Sequence, residues 1–224
     1  MPLPAHQQEL AILFEDDALL VADKPSGLLV VPGRGEDEAP PLRRRLEERL
    51  GRPGWVVPRR DQATSGAIVF AKTAEAHRFL SREFENRRVR KIYLGLAAGR
   101  IEREGILRMP IREFGSGRMG VSRRGKPAVT RYRPLEVFAD STLVEIAPLT
   151  GRRHQIRVHF YAIGHPVLGD PLYGENRPVG GAARLMLHAL YLAFRHPGGE
   201  EVAVEAPPGA DWKSVLRFRP PRRE

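Results

Sequence analysis

Residues 150–166 read TGRRHQIRVHFYAIGHP, and one short helix in this stretch decides how the chain is organised. Ile156, Phe160 and Ile163 recur at helical spacing, and Gly164 before Pro166 supplies a stop, so the spacing predicts a helix over about 153–163. Arg152, Arg153 and His154 crowd its start, where free backbone N–H groups favour an anion. On either side the pattern changes to strand. PAVTRYRPLEVF (127–138) and TLVEIAPL (142–149) precede it, and LMLHALYLAFRH (185–196) and EVAVEAP (201–207) follow as a final strand pair.

Further upstream, apolar runs predict strands at Ala11–Phe14, Leu19–Ala22 and Leu28–Val31, divided by Asp16-Asp17 and by Pro25-Ser26-Gly27. GRGEDEAP (33–40) is a polar loop. Behind it PPLRRRLEERL (40–50) places Leu42, Leu46 and Leu50 on one helical stripe. AIVFA (67–71) is a buried strand. Thr73 then caps a helix in which Ala76, Phe79, Leu80 and Phe84 recur, and KIYLGLAAG (91–99) returns as a strand. Strands outnumber helices without alternating with them one for one. The class is therefore α+β, with a mixed, largely antiparallel sheet.

The 224 residues suffice for one large domain or two small lobes, and 42% hydrophobic content makes a folded chain the expectation. Lys and Arg exceed Asp and Glu by 37 − 27 = 10, which points to a polyanionic partner, nucleic acid first. There are no cysteines, so disulfides, thiolate metal sites and cysteine nucleophiles are excluded and a cytoplasmic location is expected. The N-terminus carries no signal-peptide pattern, and no apolar run approaches a membrane span.

Three motifs mislead. GSGRMG (115–120) spells a dinucleotide fingerprint, but neither a strand before it nor a helix after it is indicated, so it is taken as a hairpin loop. His154 and His159 are five apart, off the spacing that puts two metal ligands on one helical face. Ser65 lacks the glycine at position 63 that a nucleophile elbow requires.

VVPRRDQATSG (56–66) holds one acid, Asp61, among arginines just before the AIVFA strand. Alone it has three ordinary fates: a turn former, an ion-pair partner or a functional carboxylate. DKPSGLLVVPG (23–33), D-x-x-T-S-G at 61–66, RKIYLGLAAG (90–99), G-R-x-H-Q-I-R-V-H at 151–159 with GHPVLGDPLYG after it, and LMLHALYLAF (185–194) follow in order. Together they resemble the RluA branch of the pseudouridine synthases, over about residues 10–212. The resemblance implies a pseudouridine synthase fold: a central mixed sheet with flanking helices and a basic active-site cleft. It further implies one catalytic domain spanning 1–224 with a basic tail over 213–224; no segment for an S4 domain precedes the first strand.

By that resemblance Asp61 is the catalytic aspartate, Arg157 its guanidinium partner and Tyr93 the active-site tyrosine. Uridine isomerisation changes no redox state and hydrolyses nothing, so no nicotinamide, ATP or metal is needed and no cofactor is expected. Arg152, Arg153 and His154 are assigned to the RNA backbone, Arg59 to the flipped base's stack or a phosphate, Arg60 to RNA or a surface acid, and Lys24 to the cleft lining. The pattern departs from type at Pro58 and Arg60: PRRD stands where H-R-L-D is usual. The expected partner is a ribosomal or transfer RNA, met by a monomer with no membrane association. The alternative is a non-catalytic RNA-binding or RNA-chaperone protein on the same fold. A nucleoside glycosidase, a further rival, usually shows two working carboxylates, for which Asp23 and Asp170 are the candidates.

Overall fold

Apolar runs and turn residues set the N-terminal part. Strands β1 (Ile12–Glu15) and β2 (Leu19–Lys24) meet at a turn in which Asp16 Oδ1 accepts from Ala18 N and Leu19 N, each at 2.8 Å. The structure, a computed structural model, describes residues 10–30, 40–57, 61–115, 117–174 and 182–217. The strand expected over Leu28–Val31 is absent among these: Leu28 and Val30 are buried and Leu29 partly so, in irregular backbone, and Val31 lies outside the described residues. The carbonyls of this run are used elsewhere. Leu29 O and Val30 O accept from Leu42 N and Arg43 N at 2.7 and 3.1 Å, satisfying the open N-terminal donors of α1 (Leu42–Leu50).

A short strand not anticipated from the sequence, β3 (Trp55–Val57), precedes β4 (Ser65–Ala71), which is buried along its whole length. Helix α2 (Ala74–Glu85) begins where the sequence predicts, with Thr73 Oγ1 accepting from Ala76 N at 3.1 Å. Then come β5 (Arg90–Ala98), β6 (Gly105–Arg108), β7 (Ile111–Glu113), β8 (Met119–Val121), β9 (Val129–Val137) and β10 (Ser141–Pro148). The glycine-rich stretch runs from the β7–β8 connection into β8, with Ser116 outside the described residues and Gly117 N donating to Phe114 O at 2.8 Å. After α3 (Gln155–Ala162) the chain ends in β11 (Leu187–Arg195), β12 (Glu201–Glu205) and α4 (Ala210–Arg217). Residues 213–217 of the expected basic tail belong to α4, and 218–224 lie outside the described residues. Trp212 and Val215 give the helix an apolar face, packed with Leu96, Phe138, Leu168 and Met186.

Two compact units result, Met1–Lys91 with Ala189–Pro207, and Ile92–His188 with Pro208–Glu224. The first runs β1-β2-β4-β11, with β3 also on β4 and β12 on β11. Its core sets Leu19, Val21, Val69 and Leu192 against Ala76 and Leu80 of α2, while Leu20, Ile68 and Phe70 pack with Leu42 and Leu46 of α1. The second runs β5-β10-β9-β6, with the first residues of β11 beside β5. The pairs β1–β2, β2–β4, β3–β4, β11–β12, β5–β10, β9–β10 and β6–β9 are antiparallel, giving the large, mostly antiparallel sheet of an α+β fold. Among the described residues no helix is long and apolar enough to cross a membrane.

Candidate active site

In the first unit, Asp61 opens a tight turn ahead of β4. Its Oδ1 accepts from Ala63 N and its carbonyl from Thr64 N, both at 3.3 Å, so the aspartate folds its own loop. The turn is then tied to Pro25-Ser26-Gly27. Gly27 N and Lys24 Nζ donate to Gln62 O at 3.1 and 2.8 Å, Gln62 Nε2 returns to Gly27 O at 3.0 Å, and Ser26 Oγ donates to Ala63 O at 2.7 Å. The sequence motifs DKPSG and DQATSG are thus one structural object. Gly66 ends it with φ of 102°, and a Cβ there would strike the backbone of Ala189 in β11.

Lys24 needs correction as a cleft-lining RNA contact. It is fully buried, and Nζ donates to Pro25 O, Leu28 O and Gln62 O at 2.9, 3.0 and 2.8 Å. An ammonium has three protons, and all are committed to main chain, so binding phosphate would strand a buried carbonyl. Pro58, Arg59 and Arg60 lie outside the described residues.

In the second unit, Tyr93 of β5 pairs in register with Ile146 of β10, and Ile146 with Tyr132 of β9. Directly opposed residues share a face, so these side chains lie on the side of the sheet where Phe160 of α3 meets Tyr132 edge-on at 5.6 Å. Leu94 and Leu96 take the other face. Tyr93 is partly exposed. Helix α3 therefore covers the face that carries Tyr93.

That helix is shorter than the 153–163 expected, because His154 has φ of 54° and cannot join it. Buried residues run from Gln155 to Phe160, more than an amphipathic stripe requires, and the polar ones among them are paired. Gln155 Nε2 donates to Val129 O and Thr130 Oγ1, both at 2.9 Å, and its Oε1 accepts from Thr150 Oγ1 at 2.6 Å. His159 lies 2.9 Å from both Thr130 Oγ1 and Met109 O, and burial lowers its pKa. Arg157 is also buried rather than lining an open surface. Its Nε and Nη2 donate to Asp170 Oδ2 and Oδ1 at 2.7 and 2.6 Å. Asp170, which sequence reasoning weighed only as a second carboxylate for hydrolysis, is a partner of this arginine. A buried arginine must be paired, and that requirement was the available signal.

The three basic residues ahead of α3 have distinct positions. Arg152 Nε donates to Pro127 O at 3.1 Å, and exposed Arg153 pairs with Glu113 at 3.1 Å. His154 Nδ1 lies 2.9 Å from the hydroxyl of Tyr173, whose pKa is raised chiefly by burial.

Residues 18–162 match the family model described as RNA pseudouridylate synthase. The chain belongs to that family. The synthase is 41% identical to ribosomal large subunit pseudouridine synthase D of Nitrosomonas europaea, over 95% of this chain and 67% of the relative. It is 40% identical to the dual-specificity RNA pseudouridine synthase RluA of Escherichia coli, over 91% and 95%. Its structure matches human RNA pseudouridylate synthase domain containing 1 with a TM-score of 0.80 at 31% identity, covering 99% of this chain and 91% of that one. Human RNA pseudouridylate synthase domain containing 4 follows at 0.74 and 28%, covering 93% and 92%. The synthase is therefore an enzyme of the isomerase class.

Proposed function

We propose that the synthase converts specific uridines of ribosomal or transfer RNA to pseudouridine, with Asp61 as the acting carboxylate and Tyr93 and Arg157 serving the same reaction. The observation that carries this reading is the anchoring of the Asp61 turn by Lys24, Ser26 and Gly27. A carboxylate on a main-chain-locked loop keeps one position through a reaction, which is what orientation-dependent catalysis requires.

In the reaction the N1–C1′ bond of uridine breaks, the uracil turns over, and C5 joins C1′. The C5 proton leaves and N1 gains one, so the atoms balance without redox change or hydrolysis. Asp61 attacks the sugar or removes a sugar proton. Arg157 supplies the guanidinium assigned to the same step. Tyr93 stacks on uracil, with its hydroxyl serving the departure of the C5 proton. A stacked uridine must first be extruded, at a cost of a few kcal/mol. Arg152, Arg153 and His154 serve the RNA backbone, Arg59 the vacated stack or a phosphate, and Arg60 RNA or a surface acid. The enzyme acts as a monomer in the cytoplasm.

Asp61→Asn tests the reading directly. The variant should fold and bind RNA but release no tritium from C5-labelled RNA in a single turnover. Substantial residual release would remove Asp61 from the chemistry.

A further inference from the structure

We infer that Asp170 is a positioning residue of the isomerisation, acting through the orientation it gives Arg157; the inference rests on the role proposed for Arg157 above. The pair is bidentate, with Nε on Oδ2 at 2.7 Å and Nη2 on Oδ1 at 2.6 Å, and the side chains are 2% and 0% exposed. An arginine has four side-chain torsions and five N–H donors. A fork-to-fork carboxylate fixes the plane of the guanidinium and turns the Nη1 edge away from itself.

The carboxylate is itself held. Oδ1 also accepts from Leu172 N and Tyr173 N at 2.9 and 3.0 Å, so one oxygen organises the turn that carries the aspartate. Gly169, at φ of 68°, lets that turn run against Arg184, whose carbonyl leaves no room for a Cβ. Tyr173 closes another side. Its ring centroid is 5.1 Å from the Arg157 guanidinium carbon and 5.1 Å from that of Arg118, and its hydroxyl accepts from Met119 N at 3.2 Å. Asp170 therefore sets the guanidinium plane and the Tyr173 ring backs it.

Stability alone does not account for this arrangement, since an apolar pair of similar volume would often hold the fold as well as a buried ion pair. A rigid guanidinium matters for chemistry, because about 1 Å of misplacement can cost on the order of a hundredfold in rate.

The test compares Asp170→Asn, Tyr173→Phe and Tyr173→Leu with Asp61→Asn and Arg157→Lys, in the full chain, on a C5-tritiated transcript that the unaltered enzyme converts. Asp170→Asn should lower the saturating single-turnover rate by ~10- to 100-fold. The RNA concentration giving half that rate should stay within about threefold. Tyr173→Phe keeps the ring and should stay within about threefold of the parent rate, whereas Tyr173→Leu should fall about tenfold. If Asp170→Asn does not fold, Asp170→Glu keeps the charge, displaces the guanidinium by about one methylene and should show the same loss. A folded Asp170 variant with lowered thermal stability and the parent rate overturns the inference. With Arg157→Lys and Asp61→Asn slow, that result spares the proposed chemistry. Parent-like turnover in Arg157→Lys or Asp61→Asn would instead sink the reading on which the inference stands.

Discussion

Lys24 donates from Nζ to the carbonyl of Gln62 across 2.8 Å, joining residues 38 positions apart and closing the end of β2 onto the turn that Asp61 begins. Lys24→Met keeps the length of the chain and leaves the carbonyls of Pro25, Leu28 and Gln62 without this donor. Hydrogen bonds from a charged group are worth about 1.5–3 kcal/mol each, and the loop can recover some of them by admitting water. The expected loss of stability is ~3 kcal/mol or more by urea unfolding. The folded fraction should also isomerise more slowly, with RNA affinity little changed. A stable variant with the parent rate would mean that the Asp61 turn holds its shape without the ammonium.

The glycine that ends the motif is equally exposed to test. Gly66→Ala places a methyl against the backbone of Ala189 and asks alanine to hold φ of 102°. Both terms act in the folded state, and strain of this kind costs of order 1–3 kcal/mol before the collision is counted. Thermal unfolding should show a loss above ~2 kcal/mol, whereas Gly27→Ala, with nothing within 4 Å of its Cβ, should lose less. Equal losses at the two positions would show that the collision is relieved at little cost.

The elements that position the site were legible where one periodicity ruled them. Thr73 with Ala76, Leu80 and Phe84 reads as a capped amphipathic helix because local propensity and burial agree there. They disagree at Leu28–Val30, an apolar run whose carbonyls go to the start of α1, a long-range pairing that no local pattern carries. Trp55–Val57 is too short for its alternation to register. Arg157 and Asp170 are visible as residue types, but their pairing depends on how the turn after α3 folds back. The burial of Lys24 follows from β2 running two residues past the apolar run, in register with Gly66, a pairing that no local pattern carries.

Arg153 sits in a pair that contributes little to stability. Its contact with Glu113 leaves the side chains 55% and 57% exposed, and ion pairs of that kind are typically worth under about 1 kcal/mol. Arg153→Ala should therefore barely move the melting temperature. RNA binding should weaken by about one phosphate contact in the salt slope, with bound RNA converted at close to the parent rate. Glu113→Gln releases the guanidinium and should tighten RNA binding slightly at low salt. An Arg153→Ala variant with unchanged affinity and a reduced bound-state rate would move this residue from the phosphate surface into the chemistry.

The pH dependence of stability should carry the mark of His159. Its ring is fully buried, with Nδ1 2.9 Å from Thr130 Oγ1 and Nε2 2.9 Å from Met109 O. The Met109 carbonyl can only accept, so Nε2 carries the proton, and Nδ1 accepts from the threonine hydroxyl. Protonation would add a second donor facing a hydroxyl already engaged with Gln155, in a site that burial makes hostile to charge. Burial accordingly lowers the folded-state pKa below its ordinary value, despite the opposing help of the Met109 carbonyl. Below about pH 6.5 the unfolded chain then binds a proton that the folded chain refuses. Stability from this residue is complete above that pH and declines as the pH falls, until the lowered native value is reached. The slope cannot exceed ~1.4 kcal/mol per pH unit, the worth of one proton. Urea midpoints between pH 7.5 and 5.5 should fall for the parent and fall less for His159→Gln, which keeps a donor and an acceptor but does not titrate. Parallel curves for the two proteins would show that the acid sensitivity arises at other groups and that His159 accepts its proton without cost.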